Sequence, residues 1–281
     1  MLTWRIGAVK ITCIVEKDEL LRVHRFLKGG DQAKMDAVAW IKAPFVDEAG
    51  RLNFSVQAFM VETPELRILV DTCMGNHKPR LGHGAMLETD FLERFEAAGF
   101  ARESIDVVVC THLHYDHVGW NTRLQDGRWV PTFPNARYLM GRQEFDHARA
   151  DTEADHGAVF DDSVRPVFDA GLVDLVASDH RICEEVAFVA TPGHTLGHVS
   201  VRIVSEGQEA LITGDMAHHP VQMAFPDWHV KSDHDEALSN ATRRAVFGDA
   251  ADRGVLLIGS HFYAPTAGRV TRDGEVFRFE A

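Results

Sequence analysis

Three imidazoles and a carboxylate fall within six residues in Thr111-His112-Leu113-His114-Tyr115-Asp116-His117. The β-branched run Val107-Val108-Val109 lies just upstream, and a short apolar run of that kind reads as a buried strand. His112 and His114 are two residues apart, so in extended chain at the strand's end both rings point the same way. Asp116 and His117 come within reach of the same point if the chain turns there. Imidazole and carboxylate together suit zinc, with iron or manganese able to substitute.

Further donors sit in similar settings. Thr191-Pro192-Gly193-His194, Gly214-Asp215 and Gly259-Ser260-His261 each place a His or Asp beside glycine, just after an apolar run. Ligands on loops at strand ends, held by a rigid sheet, are how α/β enzymes build sites. Glycine beside them lets backbone approach closely.

The elements that must carry these residues follow from periodicity and punctuation. Residues 4–16 alternate and suggest a hairpin turning at Gly7, and residues 54–62 and 67–71 read as strands joined at Thr63-Pro64. Residues 88–98 show helical spacing stopped by Gly99, and Asp126-Gly127 signals a tight hairpin. A helix is expected over 142–150, an irregular acidic stretch over 151–163 and a helix over 164–175. Strands follow at 186–190, 199–204 and 210–213, then a long helix over 234–252 and a strand at 255–258. A hairpin at Asp273-Gly274 comes last. Without a linker or low-complexity segment, residues 1–281 are expected to form a single domain. Residues 18–50 are less regular and read as a lid or a dimerisation extension, which makes a homodimer an expected partner.

A net charge of -13 argues against nucleic acid and anionic membrane as partners, because phosphate binding needs clustered Lys and Arg. No apolar run approaches the ~20 residues that span a bilayer. The N-terminus alternates and carries charge, unlike a signal peptide. The four cysteines (Cys13, Cys73, Cys110, Cys183) form no CxxC pair and read as small buried hydrophobes in a reducing compartment, so the expected location is cytoplasmic.

With Thr111-His112-Leu-His114-Tyr-Asp116-His117, Pro192-Gly193-His194-Thr195, Gly214-Asp215, Gly259-Ser260-His261 and Leu69-Val70-Asp71 in that arrangement, the chain resembles the metallo-β-lactamase superfamily. The resemblance implies an α/β fold, a four-layer αββα sandwich with a two-metal site on one edge. It places His112, His114 and His194 on one metal, Asp116, His117 and His261 on the other, and Asp215 between them. The implied cofactors are two divalent ions, zinc by default, with iron, manganese or cobalt as substitutes. A hydroxide formed on such a pair, with its pKa lowered from about 15.7 to about 7, would attack the substrate. Asp116 is the candidate to pass a proton to the leaving group. Asp71, Thr111 and His198 are the candidates to orient the ligands from outside.

Within the superfamily the chain is most similar to the branch of N-acyl homoserine lactonases and methyl parathion hydrolase. Where those lactonases commonly carry a tyrosine three residues past the bridging aspartate, this chain has His218. It is read as a catalytic hydrogen-bond donor or as pocket wall. Met223, Phe225, Trp228, Phe262 and Tyr263 are the other candidates for a substrate pocket. The expected reaction is opening of a lactone or cleavage of a hydrophobic carboxylic ester, on a small neutral substrate. Phosphotriester hydrolysis and a glyoxalase II-type thioesterase are the alternatives, and a metal-binding module without turnover is the non-enzymatic reading.

Overall fold

The computed structural model describes residues 1–80, 84–151 and 154–281. Two compact units emerge, one made of residues 1–17 with 56–180, the other of residues 18–55 with 181–281.

The first unit is built on a seven-stranded sheet whose strands run, in spatial order, Thr3–Ile6, Val9–Leu21, Leu52–Glu62, Arg67–Val70, Val107–Cys110, Arg137–Gly141 and Val173–Val176. The first hairpin turns at Gly7, and Leu52–Glu62 returns through Thr63-Pro64 to pair antiparallel with Arg67–Val70. From Arg67–Val70 onward the strands are parallel. Parallel strands need crossover connections, and the ligand-bearing stretch 111–121 opens one of them. The helix Phe91–Ala97 presents Phe91 and Phe95 four residues apart on one face. Phe91 stacks on Trp120 at 5.8 Å and Phe95 meets Phe133 at 5.6 Å. This aromatic packing backs the end of the ligand stretch. The hairpin of Thr122–Gln125 and Arg128–Pro131 turns at Asp126-Gly127, both with positive φ, the geometry a two-residue turn of this type requires.

One stretch departs from its periodicity. Residues 152–153 lie outside the described residues. From Ala154 the chain, expected to be irregular, is helical through Ala154–Val159, a π-turn at Phe160–Val164, and Arg165–Asp169. The helix expected over 164–175 stops at Asp169, and Val173–Val176 is an edge strand parallel to Arg137–Gly141. Pro166 sits in the first turn of its helix, where the missing N–H costs nothing. Gly171, at φ 71°, turns the chain into the strand.

The second unit carries a six-stranded sheet in the order Val186–Ala190, Val199–Ser205, Gln208–Ile212, Leu256–Ile258, Ala267–Asp273 and Val276–Glu280. Its one parallel pair, Gln208–Ile212 with Leu256–Ile258, encloses the helix Glu236–Arg253. Asp235 caps that helix by accepting from the Leu238 N–H, and Gly254 ends it in the left-handed region. Phe247 and Ala250 of the helix pack with Leu257, Phe277 and Phe279 of the sheet. Residues 18–50 contribute short elements only, among them Val23–Phe26 and the strand Leu27–Lys28, which pairs with His229–Val230. Val23, Leu27, Met35 and Ile41 from this segment are buried with Val221, Trp228 and Val230. Among the described residues no helix is long and apolar enough to cross a membrane.

Candidate metal centre

In the first unit the donors follow Val107–Cys110 without interruption. His112 is fully buried, His114 is half-buried and precedes the single helical turn Tyr115–Val118, and His117 is buried within that turn. The ring of His112 lies 4.6 Å from that of His114 and 4.1 Å from that of His117. The Asp116 side chain keeps 15% of its surface exposed, and its carboxylate is 3.9 Å from His117 Nε2.

Asp71 orients this cluster. It follows the strand Arg67–Val70 with φ 57°, a left-handed conformation that Asp tolerates better than most residues. Strain of this kind gathers at functional sites. Its carboxylate accepts from the Thr111 N–H (2.8 Å), the Thr111 hydroxyl (2.9 Å) and His117 Nδ1 (2.8 Å). His117 is thus fixed through Nδ1, the way ligating imidazoles are oriented.

The loop after Asp71 is clamped to the ligand turn by backbone. The Thr72 N–H donates to His117 O (2.7 Å) and the Gly119 N–H to Cys73 O (2.7 Å). The approach is so close that a Cβ on Gly119 would lie 1.9 Å from the Met74 carbonyl carbon. Two buried charges missed by sequence reading close the clamp. Glu16 accepts from the Met74 N–H (2.7 Å) and Trp120 Nε1 (2.6 Å), and burial raises its carboxyl above the usual range. Arg80 Nη1 donates to the carbonyls of Met74 and Tyr115, both at 2.9 Å. Glu16 follows the apolar run Cys13-Ile14-Val15, while Arg80 stands in the polar stretch Asn76-His77-Lys78-Pro79-Arg80, where nothing local marks it.

In the second unit the donors come singly and converge on Asp215. His194 Nε2 lies 3.3 Å from Asp215 Oδ2, His218 Nε2 3.0 Å from the same oxygen, and His261 Nε2 3.0 Å from Oδ1. The outer nitrogens are tied back. His194 Nδ1 donates to Asp233 Oδ1 at 2.7 Å and His261 Nδ1 to the Ser55 carbonyl at 2.8 Å. His198 is engaged through both nitrogens, Nε2 accepting from the Asp215 N–H (2.7 Å) and Nδ1 facing Thr191. Burial opposes charge on His194, but the carboxylates of Asp215 and Asp233 outweigh it and raise the imidazole to about 9. Burial likewise works against the Asp233 carboxylate, and the His194 hydrogen bond outweighs it, lowering its pKa to about 2.

His218 donates its backbone N–H to Gln222 Oε1 (2.7 Å). Its Nε2 is engaged by Asp215, and Nδ1 has no partner among the described residues. An ionised carboxylate only accepts, so Nε2 carries the proton and Nδ1 of the neutral ring is an acceptor. Burial holds His218 below the ordinary histidine range, in keeping with a neutral ring.

The apolar residues divide differently from the expected pocket. Met223 and Phe262, expected in the substrate pocket, are fully buried in a core cluster with Phe247, Phe277 and Phe279. Phe225 stacks on Trp228 at 3.9 Å, Trp228 is buried, and Tyr263 is partly exposed. Two further rings pack on candidate site imidazoles: Phe54, stacked on His261 at 4.3 Å, and Phe26, edge-on to His218 at 5.9 Å. Phe26 lies in the weakly patterned segment 18–50, and Phe54 in the strand Leu52–Glu62.

Comparison with known proteins places this arrangement. Residues 52–263 match the family model of the metallo-beta-lactamase superfamily. An N-acyl homoserine lactonase of Bacillus cereus is 26% identical over 168 residues, 55% of this chain and 60% of the relative. The probable metallo-hydrolase YflN of Bacillus subtilis is 27% identical over 122 residues, 40% of this chain and 44% of the relative. The chain thus spans 60% or less of the length of these curated relatives. Among solved structures, AidC, a dizinc quorum-quenching lactonase in complex with a product, superposes with a TM-score of 0.84 at 20% identity, covering 99% of this chain and 96% of that one. The hydrolase AbOPH superposes with a TM-score of 0.81 at 23% identity and the same coverage. At such identities the likeness shows the fold.

Proposed function

Because the chain belongs to the metallo-beta-lactamase superfamily, we propose that it is a metal-dependent hydrolase that opens a lactone or cleaves a hydrophobic carboxylic ester. The observation that carries this reading is the inward and outward division of the imidazoles. Nδ1 of His117, His194 and His261 is tied to a carboxylate or carbonyl, while Nε2 of His194 and His261 faces the Asp215 carboxylate. Imidazoles prepared in this way are what a metal site requires. The donors we assign to one ion are His112, His114, His194 and Asp215, and to a second Asp116, His117 and His261, with Asp215 shared. Nitrogen and carboxylate donors in these proportions suit zinc.

Two bound divalent ions would supply an acidified water and a Lewis acid for the reacting carbonyl. The chain's own residues do the rest. Asp71, Asp233 and the Ser55 carbonyl fix the ring planes before substrate arrives. Asp116, the more exposed of the carboxylates assigned here as ligands, is placed to hand a proton to the departing oxygen. Phe26 and Phe54 keep water from one side of His218 and His261 and favour a neutral, apolar substrate. His218 can accept a hydrogen bond at Nδ1 but has no free proton for the substrate carbonyl. That favours lactones and esters other than those whose turnover depends on a phenol at this place.

The test is a hydrolysis panel of lactones, aryl esters, thioesters and phosphotriesters on the zinc-reconstituted enzyme. We expect turnover of a lactone or ester that is lost on chelation and restored by zinc. Uptake of two metals with no turnover of any of these classes would point to a metal-binding module instead. Turnover of phosphotriesters alone would move the assignment to that class.

A further inference from the structure

We propose that Arg243 is a positioning residue of the metal centre, holding His194 and Asp215 in ligating geometry through Asp233 and the backbone at Met216. This rests on the assignment of His194 and Asp215 as ligands.

Arg243 lies in the helix Glu236–Arg253 and has no exposed surface. A buried guanidinium is costly unless well paired, and apolar residues of similar volume often replace it without loss of stability. Here the pairing is incomplete. Nε donates to the Pro226 carbonyl (2.9 Å), and Nη1 donates to Ser239 Oγ (2.8 Å) and, more weakly, to the Met216 carbonyl (3.4 Å). Nη1 is also 3.5 Å from Asp233 Oδ2, while Nη2 has no partner among the described residues. Stability alone is a poor reason to bury this side chain.

Its contacts give a better one. Ser239 Oγ, which accepts from Arg243, donates to Asp233 Oδ2 (3.0 Å), and Asp233 Oδ1 accepts from His194 Nδ1 (2.7 Å). A continuous chain therefore runs from the guanidinium to a ligand imidazole. The Asp233 side chain is itself without exposed surface, and Arg243 is the cation beside its outer oxygen. The Met216 carbonyl follows directly on Asp215, so one guanidinium touches the supports of two ligands.

Backbone contacts reinforce the link. The His234 N–H donates to His194 O (3.0 Å), the Asp235 N–H to Gly193 O (2.9 Å) and Thr242 Oγ1 to Pro192 O (2.6 Å). A Cβ on Gly193 would come within 2.4 Å of Ser239 Cα, so the His194 turn lies directly against the helix that carries Arg243. An imidazole held on an ionised carboxylate keeps its orientation and binds metal better, and losing such a partner typically weakens metal affinity about 10–100-fold.

The test uses full-length R243M, R243K, S239A and D233N, each stripped of metal, with folding checked by circular dichroism and Tm. Zn2+ affinity is measured by competition with a chromophoric chelator, and the His194 Nδ1–H resonance is followed by NMR in the metal-free protein. We expect D233N and R243M to bind Zn2+ roughly 10–100-fold more weakly, S239A about threefold, and R243K to recover part of the loss. We also expect the double variant R243M/D233N to be no worse than D233N alone, because the two act through one chain. The His194 resonance should vanish in D233N and move in R243M.

A folded R243M that binds Zn2+ as tightly as the parent, with the His194 resonance unmoved, would make Arg243 merely structural. If R243M does not fold, unchanged affinity and resonance in S239A and R243K overturn the proposal equally. A parent protein that takes up no Zn2+ would remove the metal-site reading and this inference with it. Tight uptake by parent and variants alike removes only this inference.

Discussion

The two units carry their candidate metal ligands in opposite ways. The first carries His112, His114, Asp116 and His117 on one stretch of six residues, where Asp71 accepts three hydrogen bonds and Glu144 accepts from the Leu113 N–H. The second supplies His194, Asp215 and His261 from three separate strand ends, and each needs its own support: Asp233 for His194, His198 for the Asp215 backbone, the Ser55 carbonyl for His261. A contiguous set can share one orienting group, as it shares Asp71. A dispersed set is oriented by residues brought in from elsewhere, and it is exposed to damage at more points.

Substitutions can break or sharpen that contrast. The largest effect should come from removing a ligand on either side. His112→Ala and Asp215→Ala should both lose hydrolysis, with bound metal falling by elemental analysis. Full turnover in either variant would refute the assignment. Next, Asp71→Asn should weaken metal binding by about 10–100-fold. It disturbs a carboxylate with three donors aimed at it, so its loss should match or exceed that of Asp233→Asn. The reverse order in chelator competition would mean that the contiguous set orients itself unaided. Gly119→Ala tests the clamp. With no room for a Cβ beside Met74, it should destabilise the fold by about 1–3 kcal/mol in urea titration and loosen metal binding. Normal stability would show that the two loops can part.

The last effect is a slope. Lys78 is fully buried, 3.4 Å from Asp162 and 3.7 Å over the ring of Trp129. Burial brings its pKa from 10.5 down to about 7, with Asp162 only partly offsetting this. Between about pH 7 and 10.5 the folded chain has released a proton that the unfolded chain still holds, so this group makes stability rise with pH across that window. Each pKa unit of difference corresponds to about 1.4 kcal/mol. In Lys78→Met the rise should be missing when its urea midpoints are compared with those of the parent from pH 7 to 10. Parallel curves would show that Lys78 is hydrated and unshifted.

The contrast between the units also explains what could be read before folding. The 112–117 cluster is legible because its donors are neighbours in the chain, and Asp71 because it ends an apolar strand. Hairpins at Gly7, Asp126-Gly127 and Asp273-Gly274 were legible because tight turns need positive φ. The strand Val173–Val176 was obscured because its apolar residues continue a helical pattern across Gly171.

The chain's own motifs carried the resemblance to the family and the candidate donor residues, and periodicity marked most of the strands, because both depend on neighbours and on short periods. Tertiary structure alone decided that Asp233 and Arg243 stand behind His194. It also decided that Phe26 and Phe54 pack on His218 and His261, and that Nε2 of His218 is turned to Asp215. Most of these are contacts between residues far apart in the chain, where a buried charge or ring has meaning only once its partner is beside it.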